Sequence, residues 1–172
     1  MAGITLYDAS IPVFKSGLIS LKGILAKGIA HYGSASADIP KETLIEDLIP
    51  LASHVKLVSN IAKKTLTRIA GIQTEAWADD EDTAEKLIER CERTIALLES
   101  VDPKDICGHE GDEVEFSVGR YNLKMTSKEY VLKYAVPFFF FHLELAYSIL
   151  RMKGVPLGFA DYLLPHLESH LV

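Results

Sequence analysis

The chain is poor in cysteine: Cys91 and Cys107 are the only two among 172 residues. Two thiols build neither a secreted disulfide framework nor a paired-cysteine zinc site. Positive charge is also scarce. Eighteen Lys and Arg against 24 Asp and Glu leave a formal net charge of −6, which argues against a general nucleic-acid binder, whose phosphate contacts need clustered cations. No apolar run is both long enough to span a bilayer and free of charge. The nearest, Val131 to Leu150, is broken by Lys133, Pro137, His142 and Glu144 and reads as a core helix. The opening Met1 to Asp8 lacks the basic segment and apolar core of a signal peptide. A nucleotide-binding glycine loop and a strand–turn–helix serine elbow are missing too. These absences predict a reduced, intracellular, cytoplasmic protein with neither nucleic acid nor membrane as partner.

What the chain does have is apolar material, 48% of its residues, enough for one domain over residues 1–172. Ser10-Ile-Pro12 opens a first helix, with Ser10 as its cap and Pro12 in its first turn. Phe14, Leu18, Leu21, Leu25, Ile29 and Tyr32 follow at helical spacing. Gly17, Gly23 and Gly28 weaken that helix but admit a close neighbour. Gly33 to Asp38 reads as a flexible loop, and Asp38 to Glu42 as a short helical turn. Pro50 marks either a kink or the start of a second helix with Leu51, His54, Val55, Leu57, Val58, Ile61, Ala62, Thr65 and Ile69 inward, and Gly71 stops it. Trp77, the only tryptophan, stands in the linker after it, either plugging one end of the bundle or lining a ligand cleft.

Asp82-Thr-Ala-Glu85 is a capping-box pattern for a third helix. Ala84, Leu87, Ile88, Cys91, Ile95 and Leu98 form its stripe, and Glu89, Arg90, Glu92 and Arg93 an opposite, solvated face. The period then changes to two: Val114, Phe116, Val118, then Tyr121, Leu123, Met125, around Gly119-Arg120. That is a β-hairpin. Thr126-Ser-Lys-Glu129 is a second capping box, launching a last long helix with Val131, Tyr134, Phe138, Phe141, His142, Leu145, Ile149 and Met152 inward. Pro137 should bend it a turn before His142, and Gly154 should end it. A tail helix follows from Ala160 to Leu167. The expected fold is mainly all-α: four main helices with a small β-hairpin before the last, in an up-and-down or a crossover topology.

His142 is the strongest pointer to a site. An imidazole inside an apolar helix is costly to bury unless something pairs with it. His54 falls on the inward stripe of the second helix. Two facing imidazoles can hold a metal, share a proton or bond a ligand. Tyr134, Tyr147, Ser59 and Asn60 are the alternative partners if the role is only structural. His166 and His170 form an i,i+4 pair near the tail, and Glu144 projects away from the core.

Three stretches carry a family resemblance: Leu6-Tyr-Asp-Ala-Ser-Ile-Pro-Val-Phe-Lys-Ser-Gly-Leu18; Leu51-Ala-Ser-His-Val-Lys-Leu-Val-Ser-Asn-Ile-Ala-Lys63 with Arg68-Ile-Ala-Gly71; and Pro137-Phe-Phe-Phe-Phe-His-Leu-Glu-Leu-Ala-Tyr-Ser-Ile-Leu-Arg-Met-Lys-Gly-Val-Pro-Leu-Gly158. They resemble the domain of unknown function 1993 family of fungi and bacteria. The resemblance implies the DinB/YfiT-like four-helix bundle, whose better-known members are regarded as metalloenzymes, thiol-dependent transferases and hydrolases among them. Those relatives use one histidine on the second helix and a His-x-x-x-His pair on the last. His142 matches the second member of the pair and His54 lies in the region of the second-helix ligand, but the first member falls on Phe138, which cannot ligate.

Three readings follow. One is a pocket for a small, largely apolar molecule, bound by His54, Phe138, Trp77 and Asn60. It would need no cofactor, and His142 would serve as acid/base with Tyr134 or Tyr147 as helper, in an isomerisation, cyclisation or dehydration. The second is a non-catalytic homodimeric bundle. The third is a divalent-metal enzyme using His54 and His142 with an incomplete triad.

Overall fold

A computed structural model of the chain describes residues 3–171. Met1, Ala2 and Val172, the ends of the expected 1–172 domain, lie outside the described residues. Four long helices make the bundle: α1 (Ile11–Tyr32), α2 (Leu51–Ala70), α3 (Ala84–Glu99) and the last, which includes α6 (Val136–Met152). Between α3 and α6 come a one-turn α4 (Pro103–Ile106), strands β1 (Glu113–Val118) and β2 (Tyr121–Thr126), and a one-turn α5 (Ser127–Tyr130). A tail helix, α7 (Phe159–Leu167), lies along α1. Both α1 and α2 pack against α3 and α6. Consecutive α1 and α2 are therefore mainly diagonal, which is the crossover topology.

Local chemistry explains the boundaries. Gly71 ends α2 with a left-handed φ of 66° that a side chain would resist. The Thr126–Glu129 capping box forms as the sequence predicts. The α3 cap is one residue later than expected: Thr83 accepts from the Lys86 N–H, while Asp82 takes the Lys86 ammonium at 2.7 Å. Ser10 does not cap α1. A 2.6 Å bond from its hydroxyl to the Leu6 carbonyl occupies it instead. The expected loop after α1 is a 3₁₀ helix, Gly33–Lys41, anchored by buried Ile39 and Pro40. The hairpin pairs Val118 with Tyr121 across Gly119-Arg120, and buries Val114 and Phe116.

Close packing joins α1 to α6. At Gly17 a Cβ would run into the edge of the Phe139 ring and meet Leu143 at 3.2 Å, and at Gly28 it would meet Leu150 at 3.2 Å. Gly23, in contrast, faces open space. Phe139, absent from the predicted stripe, is fully buried, while Phe141 and Met152, placed inward by pattern, are exposed. The reason is a π-helical turn over Val131–Ala135, in which the Val136 N–H bonds the Val131 carbonyl five residues back. A proline at 137 has no N–H for the carbonyl of Lys133 and would collide with it in a regular helix. Widening the turn relieves the collision and advances the helix phase. Over its 26 residues, Ser127–Met152 is the one helical stretch among the described residues with the length and apolar character to cross a membrane. In the bundle its Tyr130, Phe139, Leu143 and Ile149 are buried against neighbours.

Candidate functional site

His54 on α2 and His142 on α6 meet. Their Nδ1 atoms are 2.9 Å apart, and their rings lie 5.2 Å between centroids at 37°. One Nδ1–H donates to the lone pair of the other, so the pair needs at least one neutral ring. Burial pushes both below the ordinary histidine range. His142 is lowered to about 4, by desolvation first and by the neighbouring His54 second. His54 is lowered by desolvation, which the nearby Ile49 backbone only partly offsets. At neutral pH both rings are uncharged. His54 Nε2 is buried without a hydrogen-bond partner, and His142 is only 7% exposed.

Aromatic rings close the outer side. Phe138 stands 4.4 Å from His142, edge to face, and Phe141 stands 5.1 Å away. Above Phe138 a cleft of about 100 Å³ runs between α2 and the last helix, under the hairpin. Leu57, Asn60, Ile61, Lys64 and Arg68 line it from α2, Ser117 from β1, and Tyr134 and Phe138 from the last helix. Larger hollows lie elsewhere, such as one of about 420 Å³ at Glu144, Tyr147 and Phe159. They are away from the imidazoles.

The other residues singled out by sequence separate into different neighbourhoods. Tyr134 and Phe138 share the cleft, but the Tyr134 ring packs on Phe116 and Phe138, and Tyr147 packs edge-on to Tyr162. Neither hydroxyl bonds an imidazole among the described residues. Ser59 pairs with Thr94 at 2.8 Å, and Asn60 accepts from Arg90 at 2.8 Å. Trp77 is remote from the histidines: Lys63 Nζ sits 3.5 Å above its ring and the Arg93 guanidinium 4.1 Å away. Of the tail pair, His166 packs near Phe140 and Tyr162.

Arg90, which the helical pattern assigns to the solvated face of α3, is instead buried, with 3% of its surface exposed. Asp79 at 2.8 Å and Glu81 at 2.6 Å neutralise it, and the Ala78 carbonyl accepts at 3.4 Å. The linker after α2 folds over α3 and covers it. The only sequence sign was three acids, Asp79 to Glu81, close to an arginine on the next helix.

The donor set does not fit the metal that the three-histidine relatives imply. Two nitrogen ligands of a tetrahedral ion, each about 2.0–2.1 Å from it, stand roughly 3.3 Å apart. The 2.9 Å contact here is a hydrogen bond, and Phe138, whose ring stands 4.4 Å from that of His142, offers no ligand atom. No group of three His, Cys, Asp or Glu side chains able to hold a metal occurs among the described residues.

A family model described as "Domain of unknown function (DUF1993)" matches residues 6–163. Among solved structures the chain is similar to a DinB family member protein from Shewanella denitrificans. It is 27% identical, with 92% of this chain and 91% of that one covered and a TM-score of 0.83. None of the curated proteins matches the chain.

Proposed function

We propose, from the premise that the chain belongs to the domain of unknown function (DUF1993) family, that it binds a small, largely apolar molecule in the cleft over Phe138. One observation carries this reading: an aromatic-floored cleft opens where α2, the hairpin and the last helix converge. Ligand pockets in helical bundles favour such junctions. At about 100 Å³, the space is small beside the roughly 300–1,000 Å³ of ordinary ligand pockets, so the ligand is of single-ring or short branched-chain size.

The imidazole pair supports binding rather than proton transfer. A base held near pKa 4, with Nδ1 already engaged, is poorly matched to neutral pH. The pair instead latches α2 to α6 beneath the cleft and keeps its floor in register. Isotope-labelled protein titrated with neutral probes such as phenol and isobutanol tests the reading. Amide shifts should centre on Leu57, Ile61, Tyr134 and Phe138, and Phe138→Lys should abolish them while the fold persists. Shifts confined to other surfaces would remove the proposal.

A homodimer is the second reading. Phe159 and Leu171 are exposed at 75% and 62%, with Leu164 and Leu167 beside them at the tail. Apolar surface of this kind favours association. Sedimentation showing monomer at every concentration would dismiss it.

A further inference from the structure

We infer that the ligand of this cleft carries a single carboxylate, received by Arg68 with Lys64 beside it; the inference rests on the cleft being a ligand site. Arg68 is half-buried on α2, yet among the described residues no carboxylate lies within ion-pair distance of it or of Lys64. The contrast with Arg90 and Arg93 is sharp, since each of those binds acidic side chains. In a chain with 24 acids against 18 bases, counter-ions are plentiful. A partly desolvated guanidinium left without one, at the wall of a cleft, is a receptor for an anion that the chain does not supply.

The guanidinium is also held in place. Its carbon lies 4.8 Å from the Phe116 ring centre and 5.3 Å from that of Tyr130. One terminal nitrogen donates to the Tyr130 hydroxyl at 3.0 Å. Its remaining N–H donors keep their fork, which suits the two oxygens of a carboxylate, and a fixed fork loses little entropy on binding. Leu57, Ile61 and Phe138 offer an apolar bed for the rest of the molecule. The small volume excludes a nucleotide or a long acyl chain. A small aromatic or branched aliphatic carboxylate fits charge, shape and size together.

The test uses the whole chain and the matched pair benzoate and benzamide, which differ mainly in charge, followed by NMR titration at low salt. Benzoate should bind about tenfold tighter than benzamide, which corresponds to about 1.4 kcal/mol for a charge-assisted bond. Arg68→Met should erase most of that preference by weakening benzoate far more than benzamide, and Lys64→Gln should reduce it about two- to threefold. If Arg68→Met does not fold, Arg68→Lys replaces it: it keeps the charge, loses the fork, and should lower the preference several-fold. Equal affinity for the two probes within the cleft overturns the carboxylate and leaves the binding site standing. Stronger binding of phenyl phosphate than of benzoate overturns it in favour of a phosphate. No shift in the cleft with any probe, charged or neutral, removes the site itself.

Discussion

The two flanks of α2 bury nitrogen bases in opposite ways. Toward α3, Arg90 stays charged and is surrounded by Asp79, Glu81, Asn60 and the Ala78 carbonyl. Toward α6, His54 and His142 discharge and pair their Nδ1 atoms, while His54 Nε2 stays buried without a partner. The residue type decides which solution is open. A guanidinium cannot lose its proton in a protein, so its burial needs counter-charge brought by another segment. An imidazole can lose its proton, so its burial needs hydrogen-bond partners but no counter-charge. The charged solution recruits a linker; the neutral one needs only two helix faces.

Removing the guanidinium should give the largest effect. Arg90→Met leaves Glu81, largely buried, with only the longer 3.8 Å ion pair to Lys56 and should destabilise the fold by about 3 kcal/mol in urea unfolding. An unchanged midpoint would show that the linker contributes nothing to stability. Acid should act mainly on the other flank. His142 has a folded pKa near 4 against an ordinary 6.5, so between those values the unfolded chain binds more protons. Stability must therefore fall as pH drops from about 6.5 toward 4, by about 2 kcal/mol from this group. The double variant His54→Leu/His142→Phe should lose that part of the acid sensitivity, and a parallel pH profile in wild type and variant would contradict the discharge argument.

A smaller effect is the coupling within the imidazole pair. His54→Ala and His142→Ala should each destabilise, and the double substitution should cost less than their sum by about 1–2 kcal/mol. Strict additivity in a denaturation cycle would mean the rings do not bond in solution. Least of all should Arg93→Gln matter. Its bond to Glu75 is exposed on both sides, and even with the Trp77 contact the loss should stay below about 1 kcal/mol. A loss equal to that of Arg90→Met would erase the distinction between covered and uncovered arginine.

Patterns that act within a few residues were legible in the sequence. Alternation placed the hairpin, the Thr126 box placed the start of the last long helix, and Gly71 and Gly154 placed two helix ends. The mainly helical, DinB-like bundle with its hairpin follows from these and from the family resemblance. Both imidazoles could be put on inward stripes, but spacing could not bring together rings 88 residues apart. Arg90 was misplaced because a helical wheel does not know that residues 75–81 will fold over its polar side. Phe139 and Phe141 exchanged roles because the pattern assumed an unbroken 3.6-residue period through Pro137.

The extra residue in the wide turn at Val131–Ala135 acts as a gear tooth between two parts of one helix. Everything upstream, from the hairpin to Tyr130, is clocked by roughly 100° against everything downstream. Excising one residue there would let the hairpin keep its seat only by swinging His142 off His54, or keep the imidazoles mated only by lifting the hairpin off the cleft. The roof and the floor of the cavity are thus aligned by a single residue's worth of helical winding.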